Sequence, residues 1–303
     1  MKRKAPIILA ILVLITSTSN KVSGQSTDTV RYWATSGVFS LNLAQSSFTH
    51  WAAGGQTSVA INGLVSLTAN YKKDKAAWDN SLTLGYGKMQ QKNSVFGWVK
   101  TDDRIDLQSK FGLQASKAWY YSALLSFKSQ MAPGYTYSET DKTLISNRFS
   151  PAYVLIALGM DYKPKPVFSA FISPLTSKMT IVTDEELSAA GAFGVDAGKK
   201  FRGEFGAYAN LLFKKDEIIK NVNFMSKLDL FTNYIHNPQN IDVNWENMLV
   251  LKVNKFISAT ISTNLLYDDD IRVSLNDIGT ITGKRAQFKE VIGVGFTYKF
   301  EKK

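Results

Sequence analysis

The sequence predicts an all-β chain: a transmembrane, antiparallel, up-and-down β-barrel of about twelve strands, with fourteen as the alternative count. Three observations carry this expectation. An export signal opens the chain, apolar and polar side chains alternate over segments of about 10–16 residues, and short connections alternate with long ones.

Lys2, Arg3 and Lys4 precede an apolar run from Ile7 to Ile15, and Val22, Ser23 and Gly24 follow as a cleavage site. The run is about half of the roughly 20 apolar residues that a spanning helix needs. Residues 1–24 are therefore expected to be a signal peptide, 25–36 a short periplasmic segment, 37–300 an outer-membrane barrel and 301–303 a periplasmic tail. Both termini then lie in the periplasm. Removing Lys2, Arg3, Lys4 and Lys21 leaves 32 basic against 25 acidic side chains, a net of about +7 rather than +11. These charges are scattered rather than gathered beside stacking aromatics, which argues against nucleic acid as a partner. There is no cysteine, which excludes disulfides, thiolate catalysis, zinc–thiolate sites and lipid attachment at a cysteine. No cofactor is implied.

The strands follow in order. After a first one over Gly37 to Gln45, the stretch from Gln56 to Tyr71 sets Val59, Ile61, Val65 and Leu67 against Ser58, Asn62, Ser66 and Thr68. Trp78, Leu82, Leu84 and Tyr86 oppose Asp79, Ser81, Thr83 and Gly85; Ile105, Leu107, Phe111 and Leu113 oppose Arg104, Asp106, Gln108 and Lys110. Trp119, Tyr121, Leu125 and Phe127 oppose Tyr120, Ser122, Ser126 and Lys128, whereas Tyr153 to Tyr162 is apolar on both faces and takes no orientation. Phe201, Phe205 and Leu211 oppose Arg202, Glu204 and Asn210; Val222, Leu228 and Leu230 oppose Asn223, Lys227 and Asp229. Val243, Trp245 and Leu249 oppose Asp242, Glu246 and Lys252, and Ile257, Ile261 and Leu265 oppose Ser258, Ser262 and Asn264. The last strand sets Ile292, Val294, Phe296, Tyr298 and Phe300 against Val291, Gly293, Gly295, Thr297 and Lys299. Sandwich strands usually run about five or six residues, whereas a tilted spanning strand needs roughly 9–11. Aromatics near the ends of the apolar rows, among them Tyr71, Trp78, Trp119, Phe213 and Tyr234, suit interfacial girdles.

Tight turns are expected at Lys72 to Lys75, Ser116-Lys117, Pro164-Lys165, Lys214 to Glu217 and Asn254-Lys255. Long connections are expected at Gln91 to Thr101, Ala132 to Ser150, Pro174 to Lys200, Ile235 to Asn240 and Asp268 to Lys284, with Ser46 to Gly55 after the first strand. Every proline of the mature chain then falls in a loop, a turn or at a strand limit, where no ladder needs its missing N–H.

Several words in the sequence carry a family resemblance: Trp51 to Gly55, Tyr71 to Tyr86, Lys100 to Arg104, Ser150 to Tyr153, Gly191 to Val195 and Asn237 to Val243. Together they resemble an uncharacterised family of Bacteroidetes-type outer-membrane β-barrels, a domain of unknown function, from about Trp33 to Phe300. The resemblance implies a porin-like fold in a Gram-negative envelope and little about activity. It also implies that Ile292, Val294, Phe296, Tyr298 and Phe300 form the carboxy-terminal signal strand read by the barrel-assembly machinery during insertion. Glu301-Lys302-Lys303 departs from the usual pattern by following Phe300.

Candidate chemistry is sparse. His50 and His236, each in an expected outer loop, would need Ser46, Ser47 or an acid within reach to act as a base. Asp268, Asp269, Asp270 and Asp277 offer oxygen ligands but lack a glycine-turned calcium loop, and Asp184-Glu185-Glu186 reads as a solvated acidic run. Gly85 to Gly87 and Gly293 to Gly295 precede no helix, so neither is a phosphate loop. No metal site or catalytic residue is assigned, and the chain is not expected to be an enzyme.

The expected functional surface is the interior charged row: Asp79, Arg104, Asp106, Lys110, Lys128, Arg202, Glu204, Lys227, Asp229, Asp242, Glu246 and Lys252. These charges either cancel as a network that plugs the lumen or line a water-filled one. The functional readings are a pore for small solutes, a scaffold that binds other envelope proteins or secretion machinery, and, distantly, a rim-sited hydrolase. Outer-membrane lipid is a partner under any of them.

Overall fold

The computed structural model describes residues 32–47, 57–92, 94–138, 140–271, 273–274 and 282–302. The expected signal peptide, His50, Trp51 to Gly55 and Asp277 lie outside the described residues. The strands are β1 (Trp33–Ser46), β2 (Ser58–Lys73), β3 (Ala76–Gln91), β4 (Trp98–Gln114), β5 (Trp119–Ser129), β6 (Gly134–Tyr137), β7 (Lys142–Ser146) and β8 (Ala152–Lys165). They continue with β9 (Phe168–Ile181), β10 (Phe201–Ile219), β11 (Val222–Asn233), β12 (Asp242–Lys252), β13 (Ile257–Tyr267), β14 (Val273–Ser274), β15 (Thr282–Gly283) and β16 (Gln287–Lys302). Twelve of them close an antiparallel meander in the order β1-β16-β13-β12-β11-β10-β9-β8-β5-β4-β3-β2. The pairs β6–β7 and β14–β15 are hairpins inside long connections, and a short helix α1 (Glu185–Ala189) lies between β9 and β10.

Turns of two to four residues join β2–β3, β4–β5, β8–β9, β10–β11 and β12–β13 at one end of the barrel. The long connections all leave from the other end, so the alternation of lengths is a property of the meander. Several strands run on into expected connections: β2 takes in Lys72 and Lys73, β4 starts at Trp98, and β8 ends with Pro164 and Lys165. Four further differences have a visible cause. β1 starts at Trp33 because that indole packs on Tyr71 and Trp78, at centroid distances of 5.2 and 5.8 Å. β10 runs on to Ile219, since Lys214 and Lys215 still pair with Met225 and Phe224. β16 continues through Glu301 and Lys302, which pair with Ser36 and Thr35. The fourth case is Pro174, which lies inside β9 rather than opening a loop.

Pro174 is tolerated because both ladders skip it. On one side the pairing passes from Met160↔Ile172 to Leu158↔Leu175, and on the other from Tyr208↔Ser173 to Gly206↔Thr176. The result is a bulge, with no bond lost to the missing N–H. The buried Ser173 hydroxyl donates to the Leu158 carbonyl at 2.8 Å inside it. The extra residue also changes which positions face inward: Phe171 and Ser173 do so before the bulge, Thr176 and Thr180 after it, while Ile172 and Leu175 stay exposed outside.

The outer face is an apolar belt. Leu43, Ile61, Leu125, Ile156, Ile172 and Ile292 are all exposed, flanked by aromatic pairs at both ends. Trp119–Tyr162 and Phe213–Phe224 sit toward the short turns, Phe205–Tyr234 and Phe127–Phe149 toward the long loops. This is the surface of a barrel built to face acyl chains. Ile292, Val294, Phe296 and Tyr298 of β16 belong to it, and the Phe300 ring covers Gly37, where any side chain would collide with that ring.

Candidate functional site

The inward positions build three kinds of wall. Against β5 and β8 to β11 the lumen is filled: Leu124, Ala157, Phe171, Tyr208 and Phe231 are buried together, with Leu155 packed on them. This cluster explains why Tyr153 to Tyr162 reads as apolar on both faces. β8 turns Leu155 and Ala157 toward a greasy half-lumen and Ile156 and Leu158 outward.

Next to that filling stands a lattice of ion pairs. Arg104 of β4 reaches Glu246 of β12 at 3.0 Å, and these strands are six apart either way round a twelve-stranded barrel. The pair therefore spans the lumen between opposite walls. Lys128 lies 2.8 Å from Asp229 and 3.7 Å from Glu246, and Lys227 lies 3.2 Å from Asp106. Asp229 also accepts from the Tyr208 hydroxyl at 2.6 Å and the Asn210 amide at 2.7 Å, so its charge is held by several donors at once.

Toward the long loops, Lys178 contacts Asp242 at 2.6 Å, Asp268 at 3.3 Å and Glu204 at 3.6 Å. Arg202 pairs with Glu204 at 3.2 Å and with Asp270, and it donates to the Gly194 carbonyl at 3.1 Å. Toward the short turns, Asp161 holds Lys110 at 2.7 Å and Lys163 at 3.1 Å, and Lys163 also pairs with Asp79.

Eleven of the twelve expected charged residues thus take part in one of these three groups. Lys252 does not: it lies toward the short turns, 3.9 Å from Glu217. Sequence reading misses Asp161, Lys163, Lys178 and Lys289. Asp161 and Lys163 belong to or follow the segment without a readable face, and Lys178 lies beyond the bulge. Lys289 pairs with Asp102 across the lumen. The aspartates considered for calcium face separate cations: Asp268 faces Lys178, Asp269 faces Lys284 at 2.8 Å, and Asp270 faces Arg202. His236 is exposed, and its ring has no hydrogen-bond partner among the described residues.

The third wall, from β1, β2, β13 and β16, is mostly small and uncharged. Ser40, Asn42, Asn62, Ser258, Thr260 and Ser262 alternate inward, with Gly293 and Gly295 between them. A cavity of about 460 Å³ lies between this wall and the ion pairs, lined by Asn42, Asn62, Arg104, Lys128, Glu246 and Asn264 among others.

At the long-loop end, residues 140–151 and 182–200 fold on one another. Val182, Leu187 and Val195 form a second buried cluster, with Leu144 and Phe193 packed against it. Asp184 caps α1 by accepting from the Leu187 N–H at 3.0 Å and takes a second bond from the Asn147 amide at 2.7 Å. Those donors, Asn147 first, hold its carboxyl below the ordinary aspartate range.

Residues 43–135 match the model of a family described as a protein of unknown function (DUF3078). No curated protein matches the chain. Among solved structures, the COG4313 outer membrane channel from Pseudomonas putida F1 is similar with a TM-score of 0.39 and 9% identity, over 91% of this chain and 100% of that one. A NanC porin gives a TM-score of 0.38 at 10% identity over 86% and 98% of the two chains. The translocator domain of autotransporter NalP from Neisseria meningitidis gives 0.36 at 10% identity over 97% and 95%.

Proposed function

We propose that the protein resides in the outer membrane as a narrow, non-catalytic pore for small solutes, with the short turns and both termini in the periplasm. The observation that carries this is the lumen cavity, walled on one side by paired charges and on the other by small polar residues. A barrel serving only as a scaffold would be served as well by continuing the apolar filling of Leu124, Phe171 and Phe231 across the whole lumen. Leaving polar groups around an empty space is costly unless water occupies it. The apolar belt supplies the lipid contact, and the outward row of β16 supports its proposed role as the insertion strand.

The Arg104–Glu246 bridge crosses the lumen between opposite strands. Single-channel recording in planar bilayers tests the reading. Wild-type protein should give small conductance steps, and Arg104→Ala/Glu246→Ala, which clears the bridge, should give larger ones. Silence from both proteins, each confirmed as folded by heat-modifiable gel migration, would refute the pore.

A further inference from the structure

We infer that the lumen cavity recognises an uncharged, polyhydroxylated solute of carbohydrate type, a substrate class that rests on the pore reading above. Every charged group on the cavity wall is already matched: Arg104 by Glu246, Lys128 by Asp229, Asp106 by Lys227, Lys178 by Asp242 and Asp268, Lys289 by Asp102, and Asp103 by Lys100. A charged solute meets no waiting counter-ion there and must break a pair to gain one, which leaves a poorly hydrated charge behind.

Apart from the Arg104 Nε and an Asp106 carboxylate oxygen, whose groups are already held in ion pairs, the uncommitted donors and acceptors are neutral. Asn62 uses its oxygen to accept from Thr101, which leaves its NH₂, and Asn264 uses its NH₂ on Asn244, which leaves its oxygen. Asn42, Ser262 and the Tyr153 hydroxyl line the same cavity with no side-chain partner among the described residues. Amides that offer one donor and one acceptor match adjacent hydroxyls, each of which both gives and takes a hydrogen bond.

The glycines that fit no phosphate loop shape this wall. Asn42 and Asn62 stand directly opposite each other on β1 and β2. Their side chains lie over Gly293 and Gly295 on one flank and Gly87 on the other; a Cβ at Gly293 would come 2.8 Å from the Asn42 Cγ. Glycine there lets the amides lie along the wall and keeps the space in front of them open. Leu64, Leu155, Met248 and Leu266 add apolar surface to the same cavity, suited to the C–H faces of a sugar ring. Its volume of about 460 Å³ falls within the roughly 300–1,000 Å³ of small-molecule sites.

The test is swelling of proteoliposomes in three probes of nearly equal size: glucose, gluconate and glucosamine. Glucose should enter several-fold faster than either charged relative. Arg104→Gln, which strips Glu246 of its nearest cation, should raise glucosamine entry selectively, and Glu246→Gln should raise gluconate entry. Asn42→Leu/Asn62→Leu should slow glucose several-fold while heat-modifiable migration stays that of the folded barrel. Equal wild-type rates for the three probes would overturn the solute class and leave the pore standing. No swelling with any probe, from wild type or charge variants, would overturn both.

Discussion

Replacing Asp161 by alanine should be among the most damaging single changes in the barrel. Its carboxylate is fully buried on β8, with Lys110 at 2.7 Å, Lys163 at 3.1 Å and the Ser169 hydroxyl at 2.7 Å. At an effective dielectric of about 20, a pair at the Lys110 distance carries roughly 6 kcal/mol of gross attraction. Most of that offsets the cost of taking both ions out of water. Lys163 keeps Asp79 after the substitution, so the loss falls on Lys110, itself buried and left without its partner. Orphaning one member of such a pair costs about 3–5 kcal/mol. Urea unfolding of the protein refolded into phospholipid vesicles, followed by tryptophan fluorescence, measures this directly. Lys110→Met/Asp161→Leu removes both charges and should recover stability to within about 1 kcal/mol of wild type. A single-variant loss below about 1 kcal/mol, or a double variant no better than the single, would refute the claim that Asp161 neutralises a buried cation.

Two further outcomes follow from the outer face and the loops. Leu125 is 45% exposed on the apolar belt at mid-strand; Leu125→Arg should cost about 2–4 kcal/mol in vesicles if that face meets acyl chains. An exposed leucine facing water would change stability by only about 0.5 kcal/mol, so a near-neutral result in the same unfolding assay contradicts the lipid contact. For Asp184, the folded carboxyl titrates below its unfolded value of about 4, so its capping of α1 is complete above that pH and lost as pH falls through the lower folded value. Hydrogen exchange at the Leu187 amide, corrected for intrinsic rate, should lose protection in that acidic window. Protection unchanged down to about pH 2 would show that the cap does not hold the helix.

Period-two alternation makes the barrel legible because each strand keeps two different solvents over its whole length. It works best for β2, β4 and β13, whose inward residues are mostly polar, and fails for β8, whose inward Leu155 and Ala157 meet Phe171 and Phe231. Pro174 misleads for a related reason. Its chemistry argues for a strand limit, yet an unpaired bulge position in mid-strand satisfies the same chemistry, and only the two registers reveal it. Everything beyond the bulge, Lys178 included, is thereby hidden from a one-dimensional pattern. Charged residues on readable strands are found from parity alone, whereas their partners are not. Nothing in the sequence places Arg104 opposite Glu246, because that depends on how many strands close the circle.

The same closure bears on the order of events as the barrel assembles. Arg104 and Glu246 are 142 residues apart, and Lys289 and Asp102 are 187 apart. On an open sheet, six strands at about 4.8 Å spacing would hold the first pair roughly 29 Å apart, far beyond any ion pair. Until β1 meets β16, these two pairs therefore stay apart, and each of their four charges must keep its water. Joining the seam brings the far strands together, and the charges exchange hydration for one another in the same step. The seam residues, Phe300 over Gly37 among them, thus act as the latch for a lock whose tumblers lie on other strands.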